Sequence, residues 1–264
     1  MRSVAVGDVV LNMESPEAAR YHAPILILPG LFQSPVCWRG LTSILAHRGW
    51  EVYLLPRVVR DMASGKVRES DKSWNEALDD VAQAAEKLGD KLIIFGSDVG
   101  AAMALATLER TKPMALALFS PTEPSRAAKS LNDSLGFLGR RRFAKQTGTL
   151  IDAPEKHTQD AYQKTDIIAE PRTFLEDLSK GVEFSRPTTQ PPSIVFGVQN
   201  DLIVDTAHSL SFADNEVAKA AQSQRVGRWW PSIGWEPASE QAHRFLILTL
   251  ADRVVEFPDE IINP

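Results

Sequence analysis

A five-residue segment near the middle of the chain, Gly96-Ser97-Asp98-Val99-Gly100, has the composition of a strained strand-to-helix turn that exposes a nucleophile. Apolar residues precede the segment and an alanine-rich run follows it, so we expect a buried strand before it and a helix after it. The flanking glycines permit close approach of the two backbones. The amide of Val99 is expected to point to where an oxyanion would form. The pattern predicts chemistry centred on the Asp98 carboxylate.

Two other interpretations of this turn remain open. An aspartate directly before a helix also binds free backbone amides and is favoured there by the helix dipole, so Asp98 can have a purely structural role. Ser97 would be the nucleophile only if the turn were shifted by one residue, and that shift spoils the glycine spacing.

Alternating strands and helices are predicted on both sides of the turn. Continuous apolar runs closed by glycine or proline are typical of strands buried on both faces, and apolar residues three and four apart predict amphipathic helices. The alternation predicts an α/β fold, with a mostly parallel twisted sheet that is flanked by helices and antiparallel at its start. The predicted strands are Ser3–Val6, Asp8–Met13, Pro24–Leu28, Glu51–Leu55, Lys91–Phe95, Met114–Phe119, Ser193–Phe196 and Arg225–Trp230, and the predicted helices are Cys37–Arg48, Ser73–Leu88, Val99–Leu108, Thr206–Ala221 and Ala238–Val255.

The segment from residue 121 to residue 186 interrupts the alternation. It is longer than an ordinary connection, and it is rich in helical patterns without a strong strand. Long insertions at one point of an α/β sheet commonly act as lids over a functional site. We therefore expect a core formed by residues 1–120 and 187–264 and a helical lid formed by residues 121–186.

The turn and two further segments resemble the α/β-hydrolase superfamily, and within it the haloalkane dehalogenase and epoxide hydrolase branch, whose turn carries aspartate. LPGLFQSPVCWRGL, at residues 28–41, is similar to the family's oxyanion segment. IVFGVQNDLIV, at residues 194–204, is similar to the strand and loop that present the acid of the catalytic triad. The resemblance covers nearly the whole chain outside the lid and implies the α/β-hydrolase fold.

The resemblance also implies roles for individual residues. Asp98 is then the nucleophile and Asp201 the supporting acid. Gly30, Leu31 and Phe32 would belong to the oxyanion pocket, with the amides of Leu31 and Val99 as its two donors.

A third segment, SIGWEPASEQAHRFL at residues 232–246, is similar to the family's histidine segment, but Trp235 stands where the catalytic histidine is expected. Indole neither accepts nor delivers a proton at neutral pH. An ester formed on Asp98 would then lack a base to activate water, and such assistance is typically worth about 10²–10⁴-fold. The departure predicts weak or absent dehalogenase, epoxide hydrolase and esterase activity. Trp235 and Glu236 are expected to line the pocket.

Several groups are candidate replacements for the missing base. Glu236 follows Trp235 directly, His157 lies in the predicted lid, and His208 and His243 lie on predicted helices. The sequence leaves the choice among them open.

Composition restricts the partners. A net charge of −5 gives no general reason to expect binding to nucleic acid or to an anionic membrane. No apolar run has the ~20 residues of a membrane span. The single cysteine excludes an internal disulfide and indicates a reducing compartment, so we expect a cytoplasmic location. No metal-binding or phosphate-binding motif occurs, so neither a metal nor another cofactor is expected. Oligomeric state does not follow from the sequence.

Three functions are compatible with these features. The first is an enzyme that uses Asp98 without a histidine on a small organic molecule, in a lyase, isomerase or cyclisation step of secondary metabolism. The second is an atypical hydrolase, of the dehalogenase, epoxide hydrolase or esterase kind, whose base comes from elsewhere. The third is a catalytically silent protein that binds a ligand. We favour an enzyme.

Overall fold

In the computed structural model, the described residues form a main sheet of eight strands, and most of these strands are apolar runs of the sequence. The structure describes residues 1–31, 33, 35–57, 59–60, 67–68, 72–124, 126, 170–182, 191–198, 207–209, 221–226 and 235–254. The strands are β1 (Arg2–Val6), β2 (Val9–Glu14), β3 (Ile25–Leu28), β4 (Val52–Leu54), β5 (Val59–Arg60), β6 (Val67–Arg68), β7 (Ile93–Ser97), β8 (Ala115–Phe119), β9 (Ser193–Val198) and β10 (Ala221–Val226). Their order in the main sheet is β1-β2-β4-β3-β7-β8-β9-β10, and β5 pairs with β6 separately.

The main sheet is antiparallel at one edge and parallel elsewhere. β2 runs antiparallel to both β1 and β4, whereas the remaining neighbours in the sheet pair in parallel. The expectation of a mostly parallel sheet with an antiparallel start is confirmed. Because the carboxyl ends of parallel strands lie at one edge, the residues that follow β3, β4, β7 and β8 come close together there.

The central strands are buried on both faces, which explains their continuous apolar sequences. All residues of β3 and β8 are buried. Side chains alternate across a strand, so Leu26 and Leu28 face one hydrophobic cluster while Ile25 and Ile27 face another. β2 alternates between buried and partly exposed residues instead, which is typical of a strand covered on one face.

Helices cover both faces of the sheet. Those in the described ranges are α1 (Arg39–His47), α2 (Trp74–Leu88), α3 (Val99–Ala106), α4 (Leu108–Thr111), α5 (Arg172–Lys180) and α6 (Trp235–Val254), and a 3₁₀ helix at Pro35–Trp38 precedes α1. α2, α3 and α5 pack in the first cluster and α1 and α6 in the second. Local chemistry sets the start of α2, where the Ser73 hydroxyl and the Glu76 carboxylate accept from each other's backbone amides.

The strand prediction near the C-terminus is wrong in position. The strand predicted at Arg225–Trp230 is described as β10 at residues 221–226, and residues 227–230 lie outside the described residues. Ala221, predicted as the last residue of a helix, is the first residue of this strand. The sequence of β10, AQSQRV, is mostly polar and carries little strand signal. Its place at the end of the described strand order explains this composition, because an edge strand does not need to be apolar on both faces.

Two further boundaries differ from the prediction. The closing helix begins at Trp235 rather than at Ala238. Pro237 does not prevent the earlier start, because amides in the first helical turn need no helical acceptor. The segment Arg57–Asp71, predicted as a loop, contains the short antiparallel pair β5 and β6.

α5 lies within the segment predicted as the lid and packs against the core. Phe174 and Leu178 are fully buried in the cluster that includes α2 and α3. The Trp74 amide at the start of α2 donates to the Asp177 carboxylate over 2.9 Å. Of residues 121–186 the structure describes 121–124, 126 and 170–182, so the division between core and lid stays a prediction.

Phe174→Ala is expected to lower the free energy of unfolding by about 3–5 kcal/mol, the usual loss for a buried phenylalanine. Phe174 is fully buried, and its ring centroid lies 5.8 Å from that of Trp74. The measurement is urea unfolding of both proteins. Leu248→Ala is the control, because Leu248 is 74% exposed and should change stability by less than about 0.5 kcal/mol. A loss below about 1 kcal/mol in Phe174→Ala would show that α5 does not anchor to the core.

Candidate active site

Asp98 occupies a strained turn between β7 and α3. Its φ of 37° and ψ of −105° lie outside the regions that residues with a side chain normally adopt. Strain of this kind is characteristic of functional turns. The Asp98 amide donates to the Phe119 carbonyl over 2.8 Å, which extends the pairing of β7 and β8 into the turn. The turn therefore holds Asp98 at the carboxyl edge of the sheet.

Close backbone contacts require the two glycines that flank Asp98. A Cβ added to Gly100 would lie 2.1 Å from the Leu28 carbonyl oxygen, and one added to Gly96 would lie 2.6 Å from the Cα of Ala101. Both neighbours are backbone atoms, so either Cβ would displace β3, β7 or α3. The glycines thus allow α3 to start directly against β3, which brings Asp98 beside the loop that follows β3.

The Asp98 carboxylate is buried against this loop. Its Oδ1 accepts a hydrogen bond from the Leu31 amide over 2.9 Å and another from the Val99 amide. A Cβ on Gly30 would lie 2.0 Å from Oδ2, so only glycine leaves room for the carboxylate. Asp98 is 2% exposed, and the two amides stabilise its charged form. The structure thus brings together Gly30, Leu31, Asp98 and Val99.

Helix capping alone does not explain this arrangement. Asp98 is the N-cap residue of α3, and its bond to the Val99 amide belongs to that role. The Leu31 amide, however, comes from a loop 67 positions away in the sequence. Two amides that converge from separate elements on one oxygen form the arrangement that stabilises negative charge in many enzymes.

Gln33 connects the loop to the strand before the turn. Its Oε1 accepts from the Gly30 amide over 2.7 Å and from the Trp38 indole over 3.1 Å. Its Nε2 donates to the Ser97 hydroxyl over 3.1 Å. The buried Ser97 hydroxyl is therefore hydrogen-bonded to Gln33, and the role of Asp98 as the reactive residue stays a prediction.

A buried ion pair lies on the other side of the loop. Arg57, which follows β4, donates from Nη1 to the Pro29 carbonyl and from Nη2 to the Gly30 carbonyl, each over 2.5 Å. Its Nε and Nη2 also donate to Glu170 over 2.7 and 2.5 Å. The two side chains are 7% and 3% exposed. Burial acts to lower the pKa of Arg57, but the negative charges of Glu170 and Asp98 outweigh it and raise this pKa above its ordinary value.

The other predicted site residues have no described side chain. Phe32 and Asp201 lie outside the described residues. Trp235 and Glu236 begin α6, but their side chains also fall outside the described part of the structure. Their roles in the site stay predictions.

His243, one candidate replacement base, is used in packing. Its Nδ1 accepts a hydrogen bond from the Trp50 indole over 3.0 Å, and Tyr21 stacks on Trp50 with ring centroids 4.0 Å apart. Burial, together with the positive charge of Arg48, lowers the pKa of His243. These contacts lie beside α1 and α6, so His243 stabilises the packing of these helices in its neutral form.

His208 has the partner that a catalytic histidine commonly has. Its Nε2 lies 2.9 Å from the carboxylate of Glu123, a residue that follows β8 closely along the chain. A carboxylate on one ring nitrogen fixes the tautomer and orientation of the imidazole. The remaining candidate, His157, lies outside the described residues.

The sequence analysis does not identify three residues whose hydrogen bonds fix the loop after β3, directly or through one another. These residues are Gln33, Arg57 and Glu170. Arg57 has a usable signal, because a charged residue a few positions after a buried strand often lies at the functional edge of a parallel sheet. Gln33 lies inside the segment that resembles the oxyanion segment. Glu170 is 113 positions from Arg57, and no motif in the sequence marks it.

Groups of metal-ligand side chains and helices that could span a membrane are both absent from the described residues. In those residues, no three or more His, Cys, Asp or Glu side chains are grouped so that they could hold a metal ion. The described helices include none with both the length and the apolar character needed to cross a membrane.

Comparison with protein families gives one match over most of the chain. A sequence model of the Alpha/beta hydrolase family matches residues 25–262. No curated protein sequence matches the chain.

Several solved structures have a similar fold. They include a thermophilic esterase from Thermogutta terrifontis with malate bound, an enol-lactonase from Burkholderia xenovorans LB400 and MenH from S. aureus. Their TM-scores are 0.64, 0.65 and 0.66 at sequence identities of 16%, 13% and 12%. The alignments cover 96%, 93% and 90% of this chain and 97%, 99% and 98% of the other chains. At these identities the likeness shows a common fold and leaves the activity to be argued from the site.

Gly100→Ala is expected to lower the free energy of unfolding by about 3 kcal/mol, the upper end of the usual range for overpacking, because the new methyl group would overlap the Leu28 carbonyl. Urea unfolding measures the loss. Gly7→Ala is the control: its φ of 63° is unfavourable for alanine, but its Cβ would meet only ordinary contacts at 3.5 Å or more. That change should cost about 1 kcal/mol. Equal losses in the two variants would contradict the close approach of α3 and β3.

His243 is expected to make stability depend on pH below about 6.5, the ordinary pKa of a histidine side chain. Because folding lowers its pKa, the unfolded chain binds more protons in this range, and stability falls as the pH falls through the folded pKa. Protonated Nδ1 also can no longer accept from the Trp50 indole. Urea unfolding at pH 5.5, 6.5 and 7.5 should show a shallower decline in His243→Gln than in the natural protein. His47→Gln, at an exposed position, is the control, and equal slopes in all three proteins would exclude the effect.

Proposed function

The chain belongs to the Alpha/beta hydrolase family, and we propose that it is an enzyme that transforms a small organic molecule through Asp98 without a histidine base. The reaction is a proton transfer of the lyase, isomerase or cyclase kind, as in secondary metabolism. The observation that supports this most directly is the position of Asp98 Oδ1 on the amides of Leu31 and Val99.

The amides of Leu31 and Val99 donate to the carboxylate of Asp98, which belongs to the protein itself. In acyl transfer such donors bind the carbonyl oxygen of the substrate. Here a substrate carbonyl would first have to displace Oδ1 of Asp98 from both Leu31 and Val99. The arrangement therefore favours reactions in which the charge changes on Asp98 itself. Such reactions use the carboxylate as a proton acceptor, as a proton donor or as a nucleophile towards an alkyl carbon.

Proton transfer is favoured among these because it needs a single titrating group. Alkylation of Asp98 would have to be followed by hydrolysis of the ester, which requires an activated water. The position that resembles the family's histidine carries Trp235, whose indole does not act as a base. In this proposal Asp98 corresponds to the aspartate of the haloalkane dehalogenase and epoxide hydrolase branch, which the turn resembles. The chain differs from that branch because Trp235 replaces the histidine.

A second candidate is a hydrolase of that branch with His208 as its base. The specific observation in its favour is the 2.9 Å contact between His208 Nε2 and Glu123. Glu123 follows β8, whose last residue, Phe119, accepts from the Asp98 amide. This pair therefore belongs to the same edge of the sheet as the turn.

The test uses small carbonyl compounds with exchangeable α-protons as probes in D₂O, with deuterium incorporation followed by NMR. The natural protein should accelerate exchange, and Asp98→Asn, which keeps an oxygen acceptor for the amides, should lose about 10²–10⁴-fold of the rate. His208→Gln should retain the rate of the natural protein. Exchange that is independent of Asp98 would refute the proposal.

Hydrolysis is tested on the same proteins with generic esters, epoxides and haloalkanes. Turnover that is lost in both Asp98→Asn and His208→Gln would establish the second candidate instead. Trp235→His restores a base and is expected to add hydrolysis that the natural protein lacks. Probe binding without exchange or hydrolysis would indicate a protein that only binds a ligand.

A further inference from the structure

The peptide group between Gly30 and Leu31 is held at both of its polar atoms. A trans peptide is planar, so its C=O and N–H point in opposite directions. The Gly30 carbonyl accepts from Arg57 Nη2 over 2.5 Å, and the Leu31 amide donates to Asp98 Oδ1 over 2.9 Å. The guanidinium of Arg57 and the carboxylate of Asp98 therefore lie on opposite sides of one peptide group, and Arg57 sets its orientation.

The preceding peptide group is held in the same way. The Pro29 carbonyl accepts from Arg57 Nη1 over 2.5 Å, and the Gly30 amide donates to Gln33 Oε1 over 2.7 Å. The planar guanidinium of Arg57 thus donates hydrogen bonds to two consecutive carbonyls, those of Pro29 and Gly30. We call residues 29–31 the oxyanion loop. Lysine has no rigid fork of donors with which to do this.

Glu170 determines where the guanidinium lies. It accepts from Nε and Nη2 of Arg57 over 2.7 and 2.5 Å, a two-point contact that fixes the plane as well as the position of the group. The ring of Phe174 in α5 lies 5.2 Å from the guanidinium carbon. Glu170 directly precedes the Pro171 that caps α5, so the pair connects the start of this helix to the oxyanion loop.

The surroundings of Arg57 do not suit a substrate site. Four hydrogen bonds to Pro29, Gly30 and Glu170 engage the guanidinium. The cavity beside it, lined in part by Arg57, Pro171 and Phe174, has a volume of about 10 Å³, enough for about one water molecule. Arg57 therefore acts on the protein's own backbone rather than on a ligand anion.

From this geometry we propose that Arg57 and Glu170 are positioning residues, which align the Leu31 amide with Oδ1 of Asp98. Glu170 acts through Arg57, and Arg57 acts through the peptide between Gly30 and Leu31. The site is thereby coupled to the segment that leads into α5. The proposal does not depend on which reaction Asp98 performs.

The experiment compares amide hydrogen exchange at Leu31 and Val99 by NMR, without substrate. Both amides donate to the same oxygen of Asp98, but the described hydrogen bonds of Arg57 include one to the peptide group of Leu31 and none to that of Val99. Arg57→Lys, which keeps the charge, and Glu170→Gln, which keeps the shape, should each accelerate exchange at Leu31 by about tenfold, the equivalent of one charge-assisted hydrogen bond. Exchange at Val99 should stay within about twofold, because its protection does not require Arg57.

Two further variants calibrate the measurement. Asp98→Ala removes the shared acceptor and should accelerate exchange at both amides. Arg110→Lys is the matched control for the substitution, because Arg110 forms an exposed ion pair with Asp79, and it should leave both amides unchanged.

Equal acceleration of exchange at Leu31 and Val99 would mean that the substitution lowers protection throughout the site, and it would overturn the proposal. Unchanged exchange at Leu31 in either folded variant would overturn it as well. Failure of both variants to fold would assign the pair to stability alone and also refute it. None of these results bears on the proposed reaction, which is judged by Asp98-dependent exchange into probes.

Discussion

The hydrogen bonds from the Leu31 and Val99 amides to the Asp98 carboxylate are the constraint on which the rest of the site depends. A buried carboxylate is unfavourable unless hydrogen bonds and opposite charge compensate for its lost hydration. Here the two amides come from separate elements, so a loop and a helix must meet at one oxygen atom. The positive φ of Asp98 and the absence of a side chain at Gly30 both follow from that requirement.

The buried pair of Arg57 and Glu170 is better explained by geometry than by stability. Taking two charges out of water offsets most of their attraction, so buried ion pairs contribute little net stability. Glu170, however, holds Arg57 so that its Nη1 and Nη2 donate in fixed directions to the carbonyls of Pro29 and Gly30. A rigid fork serves this purpose where a flexible ammonium group would not.

In our proposal, the hydrogen bonds from the Leu31 and Val99 amides to Asp98 restrict the reactions that this site can catalyse. The same architecture supports many chemistries, so the activity must be argued from the site. Our proposal of chemistry on Asp98 rather than acyl transfer rests on the carboxylate that the two amides bind and on Trp235 at the position that resembles the family's histidine. The described residues show the hydrogen-bond partners of Asp98, and the contact of His208 with Glu123 is the observation that supports the alternative proposal of hydrolysis.

The sequence by itself determined the elements whose signals are local. The apolar runs of β3, β7 and β8, the helix α2 and the glycine spacing around Asp98 depend on neighbouring residues only, and all are found close to their predicted positions. Only the tertiary structure decided the register of β10, because a polar edge strand is positioned by its pairing with β9 rather than by its own composition. It also decided the contact of Arg57 with Glu170, since two residues 113 positions apart meet only when α5 packs against the core.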